Sequence, residues 1–299
     1  MERGSLRLPR FELTRKDELT LSACFSAIED LVWFRGHFAG LPVLPGAAEL
    51  LFVRELAMMI PAVGGCGAEL TGLDAVKFVR PVTPGMRLRA EISSDADGRS
   101  VSFLITSPDG AALFSKGTLL FGKAPHETLP GDAALPELPS VPVLDHERLS
   151  AVMPQKEPML MADALLSYSE AEEQGSVKGT VSFTPAAGKC AAVTEKGQDP
   201  ALVTENMAQC VCAVMSEWHM SRGLPVPAGL LLGVRGLRLD PALICASRSF
   251  ITFAESSFFD GTRGVFSCSV SAGGRCAAQG RITAAWLMPS AIRELIEER

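Results

Sequence analysis

Two spacings of apolar residues, one of two and one near 3.6, run through this chain and recur in the same order twice. Residues 6–13 and 19–28 alternate and predict a hairpin. Then Ala47, Leu50, Leu51, Val53, Leu56, Ala57 and Ile60 cover most of a helical circumference, which predicts a buried helix from Pro45-Gly46 to Pro61. Alternating stretches follow at 70–79, 86–92, 100–106 and 111–121, separated by the turn signals Thr83-Pro84-Gly85, Asp95-Ala96-Asp97-Gly98 and Ser107-Pro108-Asp109-Gly110.

The second half has the same plan. Residues 159–168 and 175–183 predict a hairpin, 184–199 a loop, and 201–220 a helix. Strands are expected at 230–239, 248–254, 264–271 and 275–286, with a short amphipathic helix at 291–298. Between the halves, prolines 125, 130, 136, 139 and 142 mark an extended, semi-rigid linker. The expected organisation is a first domain over 1–123, a linker over 124–150 and a second domain over 151–299. Each domain is of α+β class, with an antiparallel sheet wrapped round one long buried helix.

Composition narrows the function. The chain has 299 residues, is 47% hydrophobic and carries a formal net charge of −6. No Lys/Arg cluster offsets that charge, which argues against a nucleic-acid surface. No run reaches the ~18 apolar residues of a membrane span, and residues 1–16 lack the apolar core of a signal peptide, so a cytoplasmic location is expected. Cysteines 24, 66, 190, 210, 212, 245, 268 and 276 are scattered without a CxxC pair or a His partner at zinc spacing. They are expected to be inert thiols, with no metal site.

Candidate chemistry concentrates in residues 33–56, WFRGHFAGLPVLPGAAELLFVREL. A titratable imidazole, His37, enters a proline-glycine elbow that feeds the buried helix. This segment resembles that of the 3-hydroxyacyl-acyl-carrier-protein dehydratases, GHFPGxPxxPGvLxxEamaQ. The stretch LDAVKFVRPVTPGMRL is similar to that family's strand and RPVxPGD turn. In the second half, Met153-Pro154-Gln155-Lys156-Glu157-Pro158-Met159-Leu160 resembles the family's opening LPHRyPfLL, and Thr204-Glu205-Asn206-Met207-Ala208-Gln209 its EamaQ segment. The resemblance implies a double hotdog, similar to the heteromeric dehydratase pairs of type II polyketide pathways such as those for aryl polyenes, here in one chain.

The departures from that pattern are complementary. The family's catalytic acid lies fourteen positions beyond its histidine, and here that position is Leu51. In the second half the acid position holds Glu205, while the matching histidine position is Ala191, within GKCAAVTEKG. Hotdog dehydratase dimers build each site from the histidine of one subunit and the acid of the other. The resemblance therefore implies one composite site, with His37 as base and Glu205 as acid. The implied reaction removes water from a 3-hydroxyacyl thioester, delivered by acyl carrier protein, to give a trans-2-enoyl product. Glu205 must stay protonated, which burial among Val203, Met207 and Val211 favours. Gly46 at the helix N-terminus is the expected oxyanion donor, apt because the thioester must approach the backbone closely, and Gln209, one turn after Glu205, is expected to orient it. No metal or organic cofactor is implied. The internal pseudo-dimer leaves further homo-oligomerisation open.

Other residues have blander readings. Glu49 is expected to be a solvated or interface charge. Glu55, one turn beyond Leu51, is the candidate for an unusual second site, though Ala191 leaves it no histidine. His126, His146 and His219 are expected at the surface. Arg80, Arg87 and Arg89, or Arg235 and Arg238, suit either an acidic carrier protein or a solvated strand edge. Two rival functions remain: a hotdog thioesterase, and a non-catalytic acyl-carrier-binding partner of a synthase.

Overall fold

The computed structural model describes residues 7–65, 69–123, 129, 139–171, 176–184, 193–194 and 197–297. The first half contains β1 (Glu12–Lys16), β2 (Thr20–Ser26), α1 (Gly46–Ala57), α2 (Pro61–Gly64), β3 (Glu69–Phe78), β4 (Arg87–Ser94), β5 (Ser100–Thr106) and β6 (Leu113–Gly122). After α3 (His146–Val152), the second half contains β7 (Ala162–Ala171), β8 (Ser176–Phe183), β9 (Val193–Thr194), β10 (Gly197–Gln198), α4 (Val203–Met220) and β11 (Ala228–Leu239). It continues through α5 (Pro241–Ala246), β12 (Phe250–Phe259), β13 (Arg263–Ala272), β14 (Arg275–Leu287) and α6 (Pro289–Glu297).

Twelve strands form one antiparallel sheet in the order β1-β2-β4-β5-β6-β3-β11-β14-β13-β12-β8-β7. Counted outward from the β3–β11 seam, the two halves have the same order, so the repeat in the sequence is also a repeat in space. At the seam Val76 pairs with Val234 and Leu73 with Leu237. β9 and β10 form a separate two-stranded ribbon.

Each half-sheet buries one face on its helix. β5 alternates buried Val101, Phe103 and Ile105 with outward Ser102 and Leu104. Against this face α1 buries Leu50, Leu51, Phe52, Val53 and Leu56. Phe11, Phe25 and Phe52 meet edge to face, with ring centroids 5.7–6.4 Å apart. α4 is buried along nearly its whole length, and Trp218, Phe259 and Trp286 form a similar edge-to-face row beside it. No helix of the described residues is long and apolar enough to cross a membrane.

Several boundaries differ from expectation for local reasons. The first helix ends at Ala57, and Pro61 opens the separate turn α2. Ile60, which precedes that proline, is extended at φ −75° and ψ 126°. β1 lies at Glu12–Lys16 rather than 6–13; all five of its side chains are exposed, so apolar alternation could not locate it. α5 was not expected. Its signal is Asp240-Pro241, with the Asp240 carboxylate accepting from the Leu243 N–H at 2.9 Å and proline in the first turn. In the same way Asp145 caps α3, which starts inside the span expected as linker. Leu144 also bridges to Leu165 there, fastening the end of that span to the second half-sheet. His126, Cys66, Cys190 and Ala191 lie outside the described residues.

Candidate active site

Between the seam and the N-termini of the two long helices lies a cavity of about 340 Å³, lined by both halves. His37, Gly46 and Glu49 come from the first half, and Gln155 and Glu205 from the second. Its apolar wall includes Phe78, Val211, Leu231 and Trp286.

His37 is buried and held by the elbow that follows it. Its Nδ1 lies 2.9 Å from the Val43 carbonyl oxygen, and the Val43 N–H donates to the His37 carbonyl at 2.8 Å. A carbonyl only accepts, so the neutral ring carries its proton on Nδ1 and Nε2 is the basic nitrogen. The ring also packs on Phe38, with centroids 4.1 Å apart. The elbow is tied down in turn by the Leu44 N–H donating to Val82 at 2.8 Å.

The loop before His37 is clamped by the other half. The Lys156 N–H donates to the Gly36 carbonyl at 2.8 Å. Gly36 has φ +79°, and a Cβ on it would lie 2.0 Å from the Lys156 carbonyl oxygen, so only glycine fits. The segment 153–160, which the sequence offered only as a family likeness, thus sets the position of the histidine loop. It also supplies Gln155, whose buried amide the sequence reasoning did not single out; Cys212 Sγ lies 3.7 Å from its Oε1.

Glu205 is buried in the first turn of α4. Gln209, fully buried one turn later, donates from Nε2 to Glu205 Oε1 at 2.8 Å and to the Met159 carbonyl at 2.7 Å. Its own Oε1 accepts from the Met161 and Ala162 N–H groups at 2.8 and 3.2 Å. Gln209 does not reach the cavity wall; it fixes the carboxyl from behind. Burial pushes the thiol of Cys212, beside it, up to about 12, so it is a neutral thiol.

Gly46 opens α1, where the first backbone N–H groups have no partner within the helix. The structure gives its lack of a side chain a packing cause: a Cβ there would stand 2.7 Å from the Phe78 ring.

Two expectations are corrected. Glu49 is no surface charge. It is 3% exposed, lines the cavity, and accepts from the Ser115 hydroxyl at 2.6 Å. Burial pushes its carboxyl up to about 8, against a smaller lowering by Ser115. Sequence alone misplaced it because Ser115 comes from β6, on the strand face that covers α1. His219 is likewise buried, with Nδ1 2.7 Å from the Met215 carbonyl and its ring edge-on to Trp218. His146 is exposed.

The pseudo-symmetric position holds a second cavity, of about 400 Å³, around Leu51, Arg54, Glu55 and Asp199. Arg54 pairs with Glu55 and, at 2.9 Å, with Asp199 of the other half. No histidine lines it among the described residues. Of the basic candidates, Arg87 pairs with Glu12 and Arg89 with Glu91, each at 2.7 Å. Arg235 and Arg238 are exposed, and Arg238 donates to the neighbouring Leu237 carbonyl. Arg80 is exposed at the cavity rim without an ion-pair partner among the described residues.

A duplicated sheet-and-helix unit, joined edge to edge with a cavity lined by His37 and Glu205 from its two halves, is the arrangement of a double-hotdog protein of the dehydratase class. A trans-acyltransferase polyketide synthase dehydratase domain from Brevibacillus brevis superposes with a TM-score of 0.66 at 14% identity, covering 93% of this chain and 96% of that one. The dehydratase domain of a mycocerosic acid synthase-like polyketide synthase gives 0.64 at 17% identity, covering 93% and 95%. These likenesses establish the fold. A family model of the ApeI dehydratases matches residues 13–118, and one of the ApeP dehydratases matches residues 147–296, half of the chain. The chain belongs to the ApeI/ApeP dehydratase family, with an ApeI-like first half and an ApeP-like second half. Among curated relatives, the 3-hydroxyacyl-[acyl-carrier-protein] dehydratase FabZ of Herpetosiphon aurantiacus is 36% identical over 73 residues, 23% of this chain and 52% of the relative. The corresponding enzyme of Rhizorhabdus wittichii is 33% identical over 100 residues, 29% and 62%. The chain thus spans about half the length of the first of these relatives.

Proposed function

We propose that this protein dehydrates 3-hydroxyacyl thioesters carried on acyl carrier protein to trans-2-enoyl thioesters, at one composite site built from His37 and Glu205. The observation that carries this reading is the shared cavity: an imidazole whose Nε2 has no hydrogen-bond partner among the described residues and a carboxyl fixed by Gln209 line it from opposite halves.

In this reading His37 Nε2 takes the proton from C2 of the substrate, and the C2–H electron pair becomes the C2–C3 double bond. The C3–O bond breaks, and Glu205 delivers its proton to the departing hydroxyl, which leaves as water. Each proton transfer contributes on the order of 10²–10⁴ in rate. Negative charge that develops on the thioester oxygen meets the Gly46 N–H at the positive end of α1. Arg80, exposed at the rim, suits the phosphate of a phosphopantetheine arm, and an acyl chain would lie along the apolar wall.

The test uses a 3-hydroxyacyl-loaded carrier protein with mass-spectrometric detection of water loss. The wild-type chain should yield enoyl carrier, and His37→Ala and Glu205→Gln should each lower turnover by about 10² or more. Near-normal turnover in either variant would falsify the site. Free acid as product would make the protein a thioesterase, and carrier binding without turnover would make it a non-catalytic partner.

A further inference from the structure

The proposed mechanism leaves the buried Glu49 carboxyl, which lines the cavity, without a task. Ser115 fixes its Oε2 by a 2.6 Å hydrogen bond. Its Oε1 has no hydrogen-bond partner among the described residues and is not sealed off from the cavity that Glu49 lines. Most buried polar atoms in proteins have a hydrogen-bond partner. This carboxyl presents an oxygen to the space where a substrate lies.

Its direction follows from helix geometry. Side chains on an α-helix lean toward its N-terminus and cover the turn before their own Cα. Glu49 stands one turn into α1, its N–H 3.3 Å from the Pro45 carbonyl, so its carboxyl leans back over the Pro45–Gly46 turn. That turn carries the Gly46 N–H, and Gly46 lines the same cavity.

We propose that Glu49, as a neutral carboxylic acid, is a second hydrogen-bond donor to the thioester carbonyl oxygen, beside the Gly46 N–H. This rests on the dehydratase reading for its substrate. Ser115 occupies one oxygen as an acceptor, which leaves the acidic proton on the other, facing the ligand. A carboxylic acid held neutral by an apolar site is an effective oxyanion donor, whereas an ionised one would repel the developing enolate. Burial supplies that neutrality up to about pH 8. The other titratable groups facing the cavity are His37, Glu205, Cys212 and, at the rim, Arg80.

The experiment compares wild type with Glu49→Gln, Glu49→Leu and Ser115→Ala, each checked for fold by circular dichroism. Two measurements are made: the pH profile of kcat on a 3-hydroxyacyl N-acetylcysteamine thioester, and the infrared stretch of a bound, carbonyl-¹³C-labelled trans-2-enoyl thioester. Glu49→Leu should lower kcat about 10²-fold with little change in KM, the usual effect of losing one oxyanion donor. Glu49→Gln keeps a donor, so it should stay within about tenfold of wild type and lose the component of the alkaline kcat decline that sets in near pH 8. In Ser115→Ala that decline should move to higher pH, because the lost bond favours the ionised form. The bound carbonyl should be lowered in frequency in wild type and Glu49→Gln, and return toward its free value in Glu49→Leu.

Full turnover in Glu49→Leu, or a carbonyl frequency indifferent to it, overturns the proposal. If Glu49→Leu does not fold, an alkaline decline unmoved in Ser115→Ala does the same. The spectroscopic arm needs no turnover, so a wild-type protein that shifts the carbonyl without dehydrating anything would sink the dehydratase reading and leave Glu49 as a donor. A protein that binds no thioester refutes both.

Discussion

Gln209 makes four hydrogen bonds from a fully buried side chain, and three of them hold backbone groups of the segment leading into β7. Replacing it by Met keeps the volume and removes every one. Because packing is conserved, the cavity contribution is small. The cost comes from the Met161 N–H, the Ala162 N–H and the Met159 carbonyl, left without their Gln209 partner. At about 1–3 kcal/mol for each buried unsatisfied group, and allowing for partial relaxation, the loss is about 3–6 kcal/mol. For a folding unit of roughly 150 residues this corresponds to a fall in Tm of about 6–24 °C. Glu205→Gln is the matched control. It removes the acid but leaves an amide oxygen to accept from Gln209, so its Tm should stay within about 2 °C while dehydration is lost. Differential scanning fluorimetry and a turnover assay on the two variants separate holding from chemistry. If Gln209→Met melts within about 2 °C of wild type, the amide network does not hold this segment, and the positional argument for Glu205 fails with it.

Other outcomes follow from the same structure. Gly46→Ala should destabilise by about 1–3 kcal/mol through overlap with Phe78, and Phe78→Leu in the same chain should recover part of that loss as a non-additive term in a double-mutant cycle. Glu49 binds its proton more tightly folded than unfolded, so the stability it contributes is full below about pH 4.5, declines as pH rises toward about 8, and is flat beyond. The Tm of Glu49→Gln minus that of wild type should therefore grow from pH 5 to 8; a constant difference would contradict the buried, neutral carboxyl. Arg80→Glu should raise KM for a carrier-linked substrate at low salt and leave an N-acetylcysteamine substrate unaffected; an equal effect on both would remove Arg80 from carrier recognition.

What the sequence determined is what short-range pattern encodes. Two helices apolar nearly all round, each followed by alternating strands, predict two sheets that each wrap a helix, because no other arrangement buries those faces. The half-motifs around His37 and Glu205 were legible through the family resemblance, which short local segments carry. Their placement on one cavity was implied by that resemblance, while the contacts that achieve it were not legible. It depends on the β3–β11 pairing and on Lys156 clamping Gly36, contacts between residues more than a hundred positions apart. Glu49 shows the limit most clearly. In the first turn of a helix, a glutamate looks like a solvated charge that favours the helix dipole. Only the tertiary structure lays β6 over it, desolvates it and gives it Ser115 as partner. Gly46 reads in sequence as room for a substrate, and in space it is also room for Phe78. Local pattern fixes which faces must be buried; which neighbour buries them, and so which polar group ends in the cavity, is decided by long-range packing.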